Sequence, residues 1–464
     1  MSRGEALYAR LPVPLQNVAT SAYGYAWRRR RQGGGFPRYR AGFAERDSYD
    51  ADRWLEWQTR RLRDMLRLAW DAPYYRERWP ALGFAPADVD SFTLDDLARI
   101  PPLEKEDVRR APRDMCPGGR PGRGVSAWYT SGSTGTPLTI YHSREDFRRG
   151  LAMRDARYSS YLGVDHTMPH ATIRGRVVVP DPDSPGPFHR YNRAEKQTYF
   201  SPYHLGPETV RAYVDAFWKA RPVWVEGYAN SVHDLAFLAL QQGIECPQLK
   251  AIVTTAEPSS ERLRADVRRA FGCRATEDYG LVEESAMALE CEHGSLHVFP
   301  DCGYVEILDP HDRPCPPGEP GELVATSFIR EAQPFIRYRT GDMAAWSDAP
   351  CPCGRQTPVL AAIEGRLDDV LVGRDGRRLG RLSTVPKHLP GVVFMQFVQE
   401  RPGAVLVRVV SEGALAAAVT DEVRRRLRTR LGSDLEVDFE RVDELERTAR
   451  GKVRTVVSSV AQRR

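Results

Sequence analysis

The sequence predicts an α/β protein: a large N-terminal domain with mixed and parallel sheets, helices and a β-rich subdomain, then a small, mobile α+β C-terminal domain. Three observations carry this expectation. From about residue 207 helical periodicity alternates with short apolar runs, the pattern of a parallel sheet with crossover helices. From about 298 the chain changes to short strands alone. The tail of about 100 residues reads strand, strand, helix, strand, and has the size of an independent domain.

The elements follow in order. Residues 1–50 read as an N-terminal extension packed on the large domain, with Leu11-Pro-Val-Pro-Leu15 and Gly33-Gly-Gly35 breaking regular structure. The run Arg28–Arg31 suits phosphates or acidic lipid; the expectation taken is an ordinary solvated helix end. Residues 51–70 are helical, since Leu55, Leu62, Met65, Leu66 and Ala69 recur at near-helical spacing. A short helical region spans 95–110, interrupted by Pro101-Pro102, and 143–161 is the next helix. Helices are expected at 208–220, 229–242 and 259–271, with strands at 223–226 and 251–255 between them. The β-rich part has strands at 303–308, 321–327, 335–338 and 344–346. The tail has strands at 392–398, 405–410 and 435–439 and a helix at 414–431. Domain limits of 1–50, 51–365 and 366–464 follow.

Composition narrows the function classes. With 41% hydrophobic and 28% charged residues, the 464-residue chain reads as soluble and globular. No apolar run approaches the ~18 residues of a membrane span, and Met1-Ser-Arg-Gly-Glu-Ala-Leu-Tyr8 has no apolar secretory core. A cytoplasmic location is the expectation. A net charge of +5 gives no ground for a nucleic-acid partner. Six lysines (105, 196, 219, 250, 387 and 452) stand among 67 basic residues, so each remaining lysine is worth a question.

One stretch organises the chain. Thr130 to Pro137 are all Ser, Thr, Gly or Pro, flanked by Trp128 and Tyr129 and by Leu138 and Ile140. Read locally, this is a strand, a tight loop and a second strand. Glycines leave backbone N–H groups uncovered, successive bare N–H groups bind anions, and the hydroxyls add donors. The loop suits a polyphosphate, although no Gly-Lys-Ser/Thr follows as a Walker loop requires. The eight cysteines include the pair Cys351-Pro-Cys353, which with Cys291, His293 and His297 reads as a Cys₃His zinc site of structural kind.

The loop, with Glu277-Asp-Tyr-Gly-Leu-Val-Glu283, Tyr338-Arg-Thr-Gly-Asp342, Gly365-Arg-Leu-Asp368 and Arg450-Gly-Lys-Val453 in that order, resembles the adenylate-forming (acyl-CoA synthetase) superfamily. Thr254-Thr-Ala-Glu257, Cys291-Glu-His-Gly-Ser-Leu-His297 and Cys351-Pro-Cys-Gly-Arg355 are similar to the phenylacetate–CoA ligase family within it. Leu11-Pro-Val-Pro-Leu-Gln-Asn17 resembles its capsular-polysaccharide-biosynthesis branch.

The resemblance implies that a carboxylate attacks the α-phosphate of ATP, giving an acyl-adenylate and pyrophosphate, and that a nucleophile, commonly coenzyme A, then displaces AMP. It implies that Thr130, Ser131, Gly132, Ser133, Thr134 and Gly135 hold phosphates, with Thr134 among the catalytic groups. Glu283 would hold Mg²⁺, with Glu284 as its competitor. Tyr279 would stack on adenine beside Gly280, Glu277 or Asp278 would accept from the adenine amino group, and Glu257 belongs to the same nucleotide set. Asp342 and Arg366 would meet the ribose, Asp368 would be the hinge, and Lys452 would meet the carboxylate and α-phosphate. Tyr228, His233 and Ala256 are nominated for the acyl pocket, together with Trp128, Tyr141 and Trp224; many relatives carry Gly in place of Ala256. His297 would be the fourth zinc ligand, with His293 as the alternative.

The expected activity is AMP-forming acid–thiol ligation of an aryl or related small acid. The alternatives are transfer of the acyl group to an amine, a sugar or a carrier protein, or AMP transfer to a non-acid acceptor. A basic scaffold binding nucleic acid or anionic membrane through Arg28–Arg31 and Arg424–Arg430 is a third, non-enzymatic reading, disfavoured by the motif set. Expected partners are a small carboxylic acid and coenzyme A or another acceptor, with a homodimer left open.

Overall fold

The structure, a computed structural model, describes residues 7–129, 138–181, 184–366, 371–374, 378–379, 382, 385–386, 389–446 and 453–460. The small-residue loop from Thr130 to Pro137, the hinge residue Asp368 and Lys452 lie outside the described residues, as does the side chain of Arg366.

The large domain is organised on one twelve-stranded sheet. In chain order its strands are β3 (His170–Ile173), β4 (His189–Asn192), β5 (Gln197–Phe200), β6 (Trp224–Tyr228), β7 (Ala251–Thr255), β8 (Ala275–Gly280), β9 (Met287–Glu290), β10 (Leu296–Val298), β11 (Gly303–Leu308), β12 (Gly321–Ser327), β13 (Tyr338–Ser347) and β14 (Val359–Arg366). In space they run β11-β12-β13-β14-β10-β9-β8-β7-β6-β3-β5-β4. The neighbours from β5 through β3, β6 and β7 to β8 are parallel. From β9 to β11 every pairing is antiparallel, and β4 closes the other edge antiparallel to β5. The seam between the halves falls at β8.

A β-hairpin of β1 (Ser126–Tyr129) and β2 (Thr139–His142), with Tyr129 opposite Thr139, flanks the small-residue loop as expected. The helices are α1 (Val13–Gln32), α2 (Phe36–Arg46), α3 (Ala51–Trp70), α4 (Pro73–Arg78), α5 (Lys105–Arg110), α6 (Arg144–Leu162), α7 (Val210–Ala220), α8 (Ala229–Gln241), α9 (Glu261–Phe271) and α10 (Ala417–Leu431). Helix α6 begins with a capping box: Ser143 Oγ accepts from Asp146 N and Asp146 Oδ2 accepts from Ser143 N. Its Arg157, fully buried, donates to Asp301 and to the carbonyl of Phe43 and is ion-paired with Asp47, which fastens α2 to the sheet domain. The parallel half covers its helix face with Ile173, Phe200, Val214, Phe217, Val225, Leu235, Ile252, Val267 and Phe271.

The small domain is a sheet of order β19-β18-β17-β20 with α10 against it; its strands are β17 (Val392–Arg401), β18 (Ala404–Ser411), β19 (Glu436–Arg441) and β20 (Val456–Ser458). A short pair of strands, β15 (Leu371–Val372) with β16 (Arg378–Leu379), precedes it. Val407, Val423, Leu427 and Leu431 are its centre.

Two expectations are corrected. The prolines of 11–15 do not break structure: Pro12 caps α1 and Pro14 lies in its first turn, where a missing N–H costs nothing. The strand expected at 335–338 begins only at Tyr338 and runs unbroken through 344–346, because Arg337 takes φ +50° and turns the chain. Its guanidinium donates to Ile100 O and pairs with Glu306, which holds that turn.

Candidate functional site

In an open α/β sheet, ligands bind beyond the carboxyl ends of the parallel strands. Three expected site segments stand there side by side. Tyr228 ends β6 opposite Thr255 of β7, and Thr255 is opposite Asp278 of β8. Ala256-Glu257 leave β7, and Tyr279-Gly280 finish β8 at the seam. The antiparallel half brings in Asp342: the Tyr279 hydroxyl donates to Asp342 Oδ2 at 2.7 Å. Asp342 lies opposite Arg366 in the β13–β14 ladder, so two motifs distant in sequence become neighbours by strand register.

Glu257 spans two domains. Its Oε2 accepts from Asn230 N at 3.0 Å, in the first turn of α8, where free N–H groups and the helix dipole favour a carboxylate. Its Oε1 accepts from Val453 N at 2.9 Å, the residue following Lys452 in the small domain. Ala256, beside it, has φ +69°, a left-handed conformation that costs a residue with a Cβ about 1–3 kcal/mol. That conformation is the physical reason a glycine suits the position.

Glu277 and Asp278 point to opposite faces of β8, as neighbours on a strand must. Asp278 is buried; its Oδ2 accepts from the Tyr158 hydroxyl and pairs with Arg154 Nε at 3.1 Å. Glu277 accepts from Ser259 N at 3.2 Å and shares Arg264 with Glu290. Burial, followed by the Glu290 charge, pushes its carboxyl up to about 7. Glu283 is buried and accepts from the Tyr338 hydroxyl at 2.9 Å. Glu284 has φ +47° and packs so closely on Gly150 that a Cβ there would strike its carboxylate.

Behind the hairpin lies a fully buried Arg330, which donates to Tyr141 O at 3.0 Å and faces the His142 ring at 3.1 Å. Burial, then the Arg330 charge, lowers His142 to about 3, so this histidine stays neutral. Neither Arg330 nor Tyr338 was nominated from sequence. Tyr338 sits inside a motif already singled out, so parity with Asp342 on one strand was the available signal; Arg330 gave none.

The acyl-pocket nominees divide. Tyr228 and Ala256 stand at the strand ends. His233 does not present a free ring: it is fully buried, 3.1 Å from Asp266 Oδ2, and its ring meets Phe394 of the small domain at 5.1 Å. Trp224 is likewise core, stacked on His170 at 4.8 Å.

Cys291, His297, Cys351 and Cys353 converge, their ligand atoms all within 4.8 Å of one another. Cys291 Sγ is 3.5 Å from Cys351 Sγ, and Cys353 Sγ is 3.3 Å from His297 Nε2. Thr357 Oγ1 holds His297 Nδ1 at 2.8 Å, which aims Nε2 at the thiols. His293 contributes only its backbone N–H, to Cys291 Sγ. Three sulfurs and an imidazole at these separations fit a tetrahedral ion.

Comparison with known proteins places the chain in a family. Residues 94–329 match the AMP-binding enzyme family and residues 371–459 the CapK C-terminal domain. Protein CapK of Staphylococcus aureus is 26% identical over 374 residues, covering 79% of this chain and 81% of that protein. The phenylacetate–coenzyme A ligase of Thermus thermophilus is 28% identical over 346 residues, covering 68% and 71%. Among solved structures, a 2-hydroxyisobutyryl-CoA ligase in the postadenylation state, in complex with 2-HIB-AMP, shares the fold. Its TM-score is 0.69 at 23% identity, covering 89% of this chain and 92% of that one. With the family match extending over more than half of its length, the chain belongs to the AMP-binding enzyme family, and it is similar to CapK and to the phenylacetate–coenzyme A ligases.

Proposed function

We propose that the protein is an ATP-dependent, AMP-forming ligase that converts a small carboxylic acid to an acyl-adenylate and then to its coenzyme A thioester. The observation that carries this is Glu257, at the end of β7, whose carboxylate accepts from the α8 N-terminus and from Val453 N, while Tyr279 at the end of the neighbouring β8 donates to Asp342. In this reading Asp342 and Arg366 hold the ribose, Tyr279 faces the adenine, and loop 130–135 holds the departing pyrophosphate through N–H and hydroxyl donors. Lys452 meets the carboxylate oxygen as it attacks the α-phosphate and charge builds. Mg²⁺, held by Glu283, would supply neutralisation of phosphate charge. Rotation about Asp368 then clears Lys452 and admits the thiol, which displaces AMP. Dependence on ATP and coenzyme A makes the cytoplasm the setting.

The test is pyrophosphate release over a panel of aryl and short-chain acids, with and without coenzyme A. Acid-dependent release is expected, falling about 10²–10³-fold in Lys452→Ala, the ~3–4 kcal/mol that a preorganised charge supplies. Release with no acid, or a Lys452→Ala variant as active as its parent, overturns the reading. The second reading is transfer of the acyl group to an amine, a sugar or a carrier protein. Release indifferent to coenzyme A, with no thioester by mass, selects it.

The Cys₃His cluster we assign to structural zinc, which would fasten the Cys351–Cys353 turn to β9 and β10. Metal analysis near one zinc per chain, lost in Cys353→Ser, is the expected result; a metal-free parent of full stability excludes it.

A further inference from the structure

Helix α1 makes its inward contacts largely with polar side chains and leaves several apolar ones outside. The side chains it turns inward are mostly polar. Gln16 Oε1 accepts from Arg190 Nε at 2.5 Å, Asn17 Oδ1 from Tyr191 N at 2.9 Å, and Ser21 Oγ from Arg193 N at 3.0 Å. Gly24 is buried against Asn192, where a Cβ would collide. Residues 15, 18, 22 and 25, at successive intervals of three, four and three, form one stripe on the opposite side. They are Leu15, Val18, Ala22 and Tyr25, all exposed, with Val18 at 63% and Tyr25 at 60%. Among the described residues nothing packs over them. The same stripe continues into Arg29, with Arg28 and Arg30 beside it. Below these a groove of about 450 Å³ is lined by Arg28, Arg29, Arg40 and His166, with Asp165 as its acidic member. Residues 6–44 contain seven arginines and no aspartate or glutamate, against a net charge of +5 for the whole chain.

We propose that α1 lies flat on an anionic lipid bilayer, with Leu15, Val18, Ala22 and Tyr25 in the headgroup–acyl boundary and Arg28–Arg30 against headgroup phosphates. The chemistry selects this occupant. Exposed apolar side chains ending in arginines, on a helix that does not cross a bilayer, suit an interface where the apolar groups enter the acyl boundary and the arginines meet phosphates. A second copy of α1 would bring arginines to arginines, with no acid in 6–44 to receive them. Nucleic acid would meet the arginines and leave the apolar stripe uncovered. The surface is separate from the strand-end site, so the inference is independent of the proposed activity.

The experiment is flotation of the full-length protein with vesicles of phosphatidylcholine alone or mixed with phosphatidylglycerol, at low and high salt. Flotation is expected only with the anionic vesicles and weaker in high salt, which shortens the Debye length from about 8 Å to 3 Å. Each arginine near an anionic surface is worth roughly a five-fold factor in partitioning. Arg29→Glu with Arg30→Glu should therefore weaken binding by about 25-fold or more, and Val18→Asp should abolish it. Both variants should keep the parent's melting temperature. No flotation, equal flotation with phosphatidylcholine alone, or flotation unchanged in the variants overturns the proposal. So does a lipid-free dimer that Val18→Asp dissociates.

Discussion

Helices α1 and α3 have the same length, 20 residues, and opposite loyalties. Helix α3 buries Trp54, Leu62, Met65, Leu66 and Ala69 on one face, and α1 buries only Gln16 and Gly24. The core explains the apolar residues of α3 apart from Leu55, which is exposed. On α1 it reaches Trp27, which meets Phe147 at 5.9 Å, while polar contacts to β4 hold the rest of the helix and the stripe of Leu15, Val18, Ala22 and Tyr25 stays outside. Apolar periodicity therefore identifies a helix without telling which side it will bury.

Measurements can break or sharpen this contrast. The largest effect belongs to the tie beneath the N-terminal helices: Arg157→Leu takes the fully buried cation from Asp301, which keeps Arg46, and from Asp47, and should cost about 3 kcal/mol in chemical denaturation. Leu66→Ala in α3 should cost about 3 kcal/mol, because Leu66 is wholly buried in a packed core. A third difference is one of pH. Residues 6–44 carry no carboxylate, whereas Glu277 is pushed up to about 7 by burial. The unfolded chain ionises this group near 4.5 and the folded one near 7, so folding loses stability as pH rises between those values and is flat above. Glu277→Gln should remove on the order of 2 kcal/mol of that slope, read from unfolding at pH 5 and pH 8. Ala256→Gly should raise stability by about 1 kcal/mol through relief of its left-handed backbone. Leu15→Ala should be the smallest effect, within about 0.5 kcal/mol. A cost for Leu15 equal to that for Leu66 would mean α1 is packed and the contrast is false.

Much of the fold was legible where one physical period dominates. The alternation at 223–271 is strand and helix in the order expected, since each strand is a short apolar run bounded by helix caps. The strands His170–Ile173 and Gln197–Phe200 escaped because four-residue strands with His, Gln and Thr carry no clean alternation. The resemblance assigns Tyr279 and Asp342 to one nucleotide, but their hydrogen bond to each other could not be read from pattern, because it depends on where the antiparallel half folds back. Arg330 could not be read at all: its importance comes from burial behind the hairpin, and 61 arginines in the chain give no hint which one is interior.

The thiol cluster also bears on redox chemistry. Cys291 and Cys351 stand 3.5 Å apart, so a bond of about 2 Å between their sulfurs needs only a small approach. An ion coordinated by both would occupy the lone pairs that an oxidant attacks. Stripped of such an ion in air, the pair would be converted from ligands into a cystine that cannot take the metal back. Purification under chelator and purification under reductant should therefore yield proteins that differ in mass by two hydrogens.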